Sequence, residues 1–115
     1  MSLLAVDMGS TNCKAIAFSE DGRVLSQKTS SYAAESSHSS STEIAPETFW
    51  QALVAVTRGT AAEVNRDPVE VLAMSSHGET FVPVDSRHRV IRLAILNVDN
   101  RAVKEANWLD RKSVV

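Results

Sequence analysis

Leu3-Leu4-Ala5-Val6-Asp7 is the stretch that most narrows the fold: a short, continuous apolar run that stops abruptly on a carboxylate. A run of this kind suits a strand covered on both faces. Gly9-Ser10-Thr11-Asn12 and Lys14 follow at once, so the strand leads into a turn of small residues and then a lysine. In such a turn several backbone N–H groups converge on a concavity that suits an anionic phosphate. Gly9 allows close approach, Ser10, Thr11 and Asn12 add side-chain donors, Lys14 adds a compact positive charge, and Asp7 suits a hydrated Mg2+. A tight hairpin turn with a solvated lysine accounts for the same residues. The motif is not a Walker loop, because GxxxxGK[ST] is absent.

Lys14 to Phe18 reads as a second strand, and Asp21-Gly22 as a hairpin turn into a third, more exposed strand over Val24 to Ser30. The segment SSHSSST, residues 36 to 42, is too polar and too simple to contribute to a core and reads as a surface loop that includes His38. Pro46 fits the first turn of a helix. Phe49, Trp50, Leu53, Val54, Val56, Thr57, Ala61 and Val64 then fall mostly at three- and four-residue steps, which predicts one apolar stripe with Trp50 as a core anchor. Asp67-Pro68 ends that helix. Val69 to Met74 is a further strand, Phe81 to Val84 and Val90 to Leu96 form a hairpin around a turn at residues 85 to 88, and Arg101 to Lys112 is helical. The order is an α/β plan with polar residues at three strand ends: Asp7 to Lys14, Ser75 to Glu79 and Asn97 to Arg101.

A net charge of -2, with no run of Lys and Arg, gives neither nucleic acid nor an anionic membrane a basic surface to bind. Cys13 is the single cysteine, so no internal disulfide forms, and no Cys or His pair has zinc-like spacing. Cys13 is expected to be a small buried side chain. No apolar stretch approaches the roughly 20 residues of a spanning helix, and the expected location is the cytoplasm.

VDMGSTNCKAIAFSEDGRVL resembles the phosphate-binding opening of the actin-like ATPase superfamily, D-x-G-[ST]-[ST]-x-x-K followed by a hairpin at D-G. EIAPETFW, MSSHGETFVPVD and AILNVDNRA are similar, in order and spacing, to the N-terminal part of the FGGY carbohydrate kinases. The resemblance covers nearly the whole chain. It implies an α/β, ribonuclease H-like domain, incomplete over residues 1–115, whose mixed sheet opens with an antiparallel hairpin. It implies phosphoryl transfer from Mg-ATP to a hydroxyl of a sugar or polyol. Asp7 would aid magnesium, and Gly9, Ser10, Thr11, Asn12 and Lys14 would sit near the transferred phosphate. His77, Gly78, Glu79, Asp99 and Arg101 would line the substrate site, with Asp99 and Arg101 matching the D and R of the family's W-x-D-x-R. The family's catalytic base and its adenosine-binding second domain lie beyond these residues, so the remainder of a kinase chain is the expected partner, with a homodimer open. Taken alone, the 115-residue chain is expected to be inactive, and marginally stable or self-associating.

Gly78 stands where glycerol kinases have arginine, and Asn97 where most relatives have tryptophan, which points away from glycerol toward a larger polyol or sugar. Asp99 also suits an N-cap of the last helix, and Arg101 a helix surface. Two other functions stay open on the residues. A small Holliday-junction-resolvase-type nuclease would use Asp7 with Glu79 or Asp99 around two metal ions. A catalytically dead scaffold relative would keep only the fold.

Overall fold

A computed structural model describes residues 1–34, 41–64 and 66–112. Three consecutive strands, β1 (Ser2–Met8), β2 (Asn12–Ser19) and β3 (Val24–Ser31), form an antiparallel meander. A two-residue strand β4 (Glu43–Ile44) precedes helix α1 (Pro46–Glu63), after which β5 (Val69–Ser76) returns parallel to β1. The sheet order is β3-β2-β1-β5, so the sheet is mixed and opens with an antiparallel hairpin, as the sequence led one to expect. Short strand β6 (Ala94–Ile95) pairs antiparallel with β4, and α2 (Val103–Lys112) follows.

The core is built by small side chains. β2 alternates cleanly, and its buried set, Cys13, Ala15, Ala17 and Ser19, is short enough for α1 to approach the sheet closely. Ala52, Val56 and Thr60 of the helix face Leu4 and Val6 of β1 and this small-residue row, and the Thr60 hydroxyl donates to the Ala15 carbonyl at 3.4 Å. Pro46 occupies the first turn of α1, as predicted. The far end of the helix is fastened to β3, where Ser26 donates to Glu63 at 2.6 Å and Lys28 pairs with the same carboxylate.

Four expectations change. Trp50 is not a core anchor: it is 59% exposed, while its neighbour Phe49 is buried. The apolar residues of α1 form two adjacent stripes, Phe49-Ala52-Val56-Thr60 toward the core and Trp50-Leu53-Val54-Thr57 toward an apolar groove of about 340 Å³ shared with Val6, Leu72 and Met74. The hairpin over residues 81–96 is present as two isolated bridges, Phe81 to Ile95 and Val84 to Val90, rather than as continuous strands, and β6 also pairs with β4. Asp99 lies four residues before α2, so it does not cap that helix. Of the polar segment 36–42, residues 36–40, with His38, lie outside the described residues; Ser41 is buried. Among the described residues, no helix is long and apolar enough to cross a membrane.

Candidate active site

β1 and β5 run in register to the same end: Asp7 stands opposite Ser75, and Met8 opposite Ser76. The chain leaves both strands there, into the small-residue turn on one side and into His77-Gly78-Glu79 on the other. Parallel pairing thus brings two of the three polar strand ends side by side. The Ser75 hydroxyl donates to Asp7 Oδ1 at 2.6 Å, and the His77 N–H donates to the Met8 carbonyl at 2.9 Å. His77 Nδ1 lies 2.9 Å from the same carbonyl, which can only accept, so Nδ1 carries the proton and Nε2 accepts from the Thr80 hydroxyl at 2.8 Å. Both ring nitrogens are engaged within the chain.

The turn is held from behind. The Gly9 N–H donates to the Asn12 carbonyl at 2.9 Å, and a Cβ at Gly9 would come within 3.2 Å of that oxygen, so a side chain there would crowd the turn. Tyr32 reaches over from beyond β3: its N–H donates to the Thr11 carbonyl at 3.1 Å, and its hydroxyl proton is shared between the carbonyls of Gly9 and Asn12, the latter at 3.0 Å. Burial, with lesser contributions from Cys13 and Asp7, pushes the Tyr32 hydroxyl up to about 12, so it remains a donor. The Tyr32 ring meets Phe49 edge-on at 5.0 Å, and Phe49 lies 5.8 Å from the His77 ring, so one aromatic row underlies both strand ends. Cys13 is buried, as expected, and burial together with the Asp7 charge raises its thiol pKa. Lys14 pairs with Asp7 across β1 and β2. Strand pairing places their side chains on the same face of the sheet.

The third strand end joins through a separate cleft of about 270 Å³, lined by Glu79, Phe81, Leu96, Asn97, Asp99 and Arg101 among others. Glu79 has φ 65°, a left-handed conformation that costs a non-glycine residue roughly 1–2 kcal/mol. Asp99, its side chain 3% exposed, accepts from the Thr42 N–H at 2.8 Å and the Arg101 N–H at 3.0 Å. It also holds the Arg101 guanidinium in a fork, Nε to Oδ1 at 2.8 Å and Nη2 to Oδ2 at 2.6 Å. These bonds, that from Arg101 first, hold the Asp99 carboxyl far below the usual carboxylate range, and Asp99, with Glu43 next, raises Arg101. Asp99 therefore caps the turn that carries Arg101 rather than a helix.

Glu43, which the sequence did not single out, lies behind this pair. Its Oε1 accepts from Arg101 Nη2 at 2.8 Å and from Arg92, and those two bonds hold its carboxyl below the usual range. Gly78 stands between the two groups with open space around it: a Cβ there would meet nothing within 4 Å.

The sequence model of the FGGY family of carbohydrate kinases, N-terminal domain, matches residues 2–114. The chain belongs to that family. It is 28% identical over 111 residues to the xylulose kinase of Escherichia coli K12, a match that takes in 95% of this chain and 22% of the relative. It is 26% identical over 100 residues to the gluconokinase of Bacillus subtilis 168, taking in 87% of this chain and 20% of the relative. It thus spans about a fifth of the length of these curated relatives. Two solved structures share the fold. Gluconate kinase from Lactobacillus acidophilus has TM-score 0.90 at 14% identity, over 96% of this chain and 22% of that one. The Brucella ovis xylulose kinase has TM-score 0.90 at 21% identity, over 97% and 24%. The fold is the α/β, ribonuclease H-like architecture of the actin-like ATPases, present here as an incomplete domain.

Proposed function

We propose that residues 1–115 are the first part of the N-terminal domain of an ATP-dependent sugar or polyol kinase, in which Asp7 to Lys14 face the phosphates and Glu79 and Arg101 face the carbohydrate, with Asp99 holding Arg101 in place. The observation that carries this is the shared end of β1 and β5, where the small-residue turn and the His77-Gly78-Glu79 segment leave the sheet side by side. A donor phosphate and an acceptor hydroxyl have to meet in line, and two segments anchored on adjacent paired strands supply a rigid base for that alignment.

The residues present fit Mg-ATP. Among the described residues, no three ligating side chains cluster. Asp7 Oδ1 is occupied by Ser75, while Oδ2 has no partner among the described residues. A lone, exposed carboxylate suits an ion that keeps most of its waters and takes its other ligands from phosphate. Mg2+ bound with ATP supplies charge neutralisation at the phosphates, and Asp7 would hold its hydration shell. Ser10, Thr11 and Asn12 would donate to phosphate oxygens, and Lys14 would balance their charge. On the acceptor side, Arg101 donates to substrate oxygens, Glu79 accepts from a hydroxyl, and His77, with both nitrogens engaged, fixes the bend between them. The base for the hydroxyl and the adenosine site are assigned to the remainder of the polypeptide. The nuclease alternative loses support, because both Asp99 oxygens are occupied by Thr42 and Arg101 rather than turned to a metal.

The open space at Gly78 favours a substrate larger than glycerol. The names of the relatives, xylulose kinase and gluconokinase, point to five- and six-carbon compounds of that size. The test is ADP formation by the complete polypeptide with Mg-ATP over a panel of ketoses, aldonates and polyols. Turnover with one of the larger compounds is expected. Glycerol as the best substrate by a wide margin would overturn the size assignment, and a panel without turnover would overturn the kinase assignment.

A further inference from the structure

Arg101 is the cation of the carbohydrate cleft, and its guanidinium is held at three points by two carboxylates. Asp99 takes Nε and Nη2, and Glu43 takes Nη2 from the other side at 2.8 Å. Nη1 has no partner among the described residues. Glu43 comes from β4, a strand distant in sequence whose pairing with β6 sets Glu43 opposite Ile95. Its side chain is 12% exposed, and the same oxygen accepts from Arg92, so one carboxylate lies between two guanidinium groups. Removing its charge would leave two partly exposed cations with no carboxylate between them, and Arg101 tethered by Asp99 alone.

We propose that Glu43 is a positioning residue for the carbohydrate site: it fixes the guanidinium of Arg101 so that Nη1 is left for a substrate oxygen, without touching the substrate itself. This rests on the kinase reading above. A forked pair with Asp99 fixes the guanidinium plane but allows rocking about the shared edge, and the third contact from Glu43 removes that freedom. The device links the β4–β6 pair to substrate binding and gives this two-strand sheet a duty beyond closing the fold.

The experiment uses the complete polypeptide with its best carbohydrate and compares wild type, Glu43→Gln, Arg101→Gln and the double variant. Glu43→Gln is expected to raise the carbohydrate KM about tenfold, as loss of a partner that orients a ligating group does elsewhere, with the ATP KM within twofold. In the Arg101→Gln background the same change should add less than about twofold, because a residue acting through another has nothing left to position. An unchanged carbohydrate KM in Glu43→Gln, or a tenfold loss repeated in the double variant, overturns the proposal. If Glu43→Gln fails to fold, Glu43→Asp, which keeps the charge on a shorter arm, is expected to raise the carbohydrate KM about threefold, and a wild-type KM there overturns it equally. A wild-type enzyme without carbohydrate turnover overturns the kinase reading and this inference together, whereas wild-type turnover with an indifferent Glu43 overturns this inference alone.

Discussion

β2 and β5 lie on opposite sides of β1, and they differ in a way their composition does not suggest. β2 carries small side chains, yet Cys13, Ala15 and Ala17 are wholly buried. β5 carries Leu72 and Met74 on the face turned toward α1, yet these are 56% and 49% exposed. The difference lies in the helix. α1 packs over β2 and β3, and its second apolar stripe, with Trp50 and Leu53, overhangs a groove beside β5 that no described residue fills. Hydrophobicity thus marks β5 as a strand, but burial depends on what packs against it, and the large apolar side chains gathered on that edge form an exposed patch.

Substitutions on the two sides should separate these regions. Val56→Ala, in the packed layer over β2, is expected to destabilise by about 2 kcal/mol through lost burial and the cavity left behind. Leu72→Ala on β5 should cost less than about 0.5 kcal/mol. Urea unfolding of the chain at low concentration reads both, and equal losses would mean that β5 is covered in solution. A smaller effect is expected behind the Gly9-Ser10-Thr11-Asn12 turn: Tyr32→Phe keeps the ring contact with Phe49 but removes the donor to Gly9 and Asn12, at a cost of about 1 kcal/mol. Unchanged stability in that variant would show that the turn holds without its clamp. The smallest effect concerns pH. Asp99 and Glu43 have carboxyl pKa values held below their ordinary ones, so their stabilising contribution is complete above about pH 5 and is lost as pH falls through the lowered folded-state values. The unfolding midpoint should therefore fall in acid more steeply for wild type than for Asp99→Asn, and parallel profiles would break the assignment.

Much of this was legible in the sequence because it rests on local chemistry. The apolar run ending on Asp7, the Asp-Gly hairpin, Pro46 at a helix start and the strand beginning after Pro68 are each fixed by a few adjacent residues. What was missed depends on partners distant in the chain. β4 is two residues long and exists through its pairing with β6, some fifty residues away, so no periodicity announces it. Glu43 owes its role to Arg92 and Arg101, and Tyr32 to three carbonyls in the turn it covers. Trp50 was misplaced because a helix with two apolar stripes has the same spacing as one with a single wide stripe. The duties of Asp99 as the cap of a turn and of His77 as a doubly bonded bend were equally beyond sequence, since both depend on which backbone groups the fold brings near.

The most direct test of the account is carbohydrate-dependent ADP formation by the complete polypeptide, measured for wild type and for Asp7→Asn. The account predicts turnover on a sugar or polyol by wild type, and a loss in Asp7→Asn of about a hundredfold or more with the carbohydrate KM nearly unchanged, since the role proposed for the carboxylate lies on the phosphate side. Wild-type rates in Asp7→Asn, or a loss carried entirely in the carbohydrate KM, would contradict it.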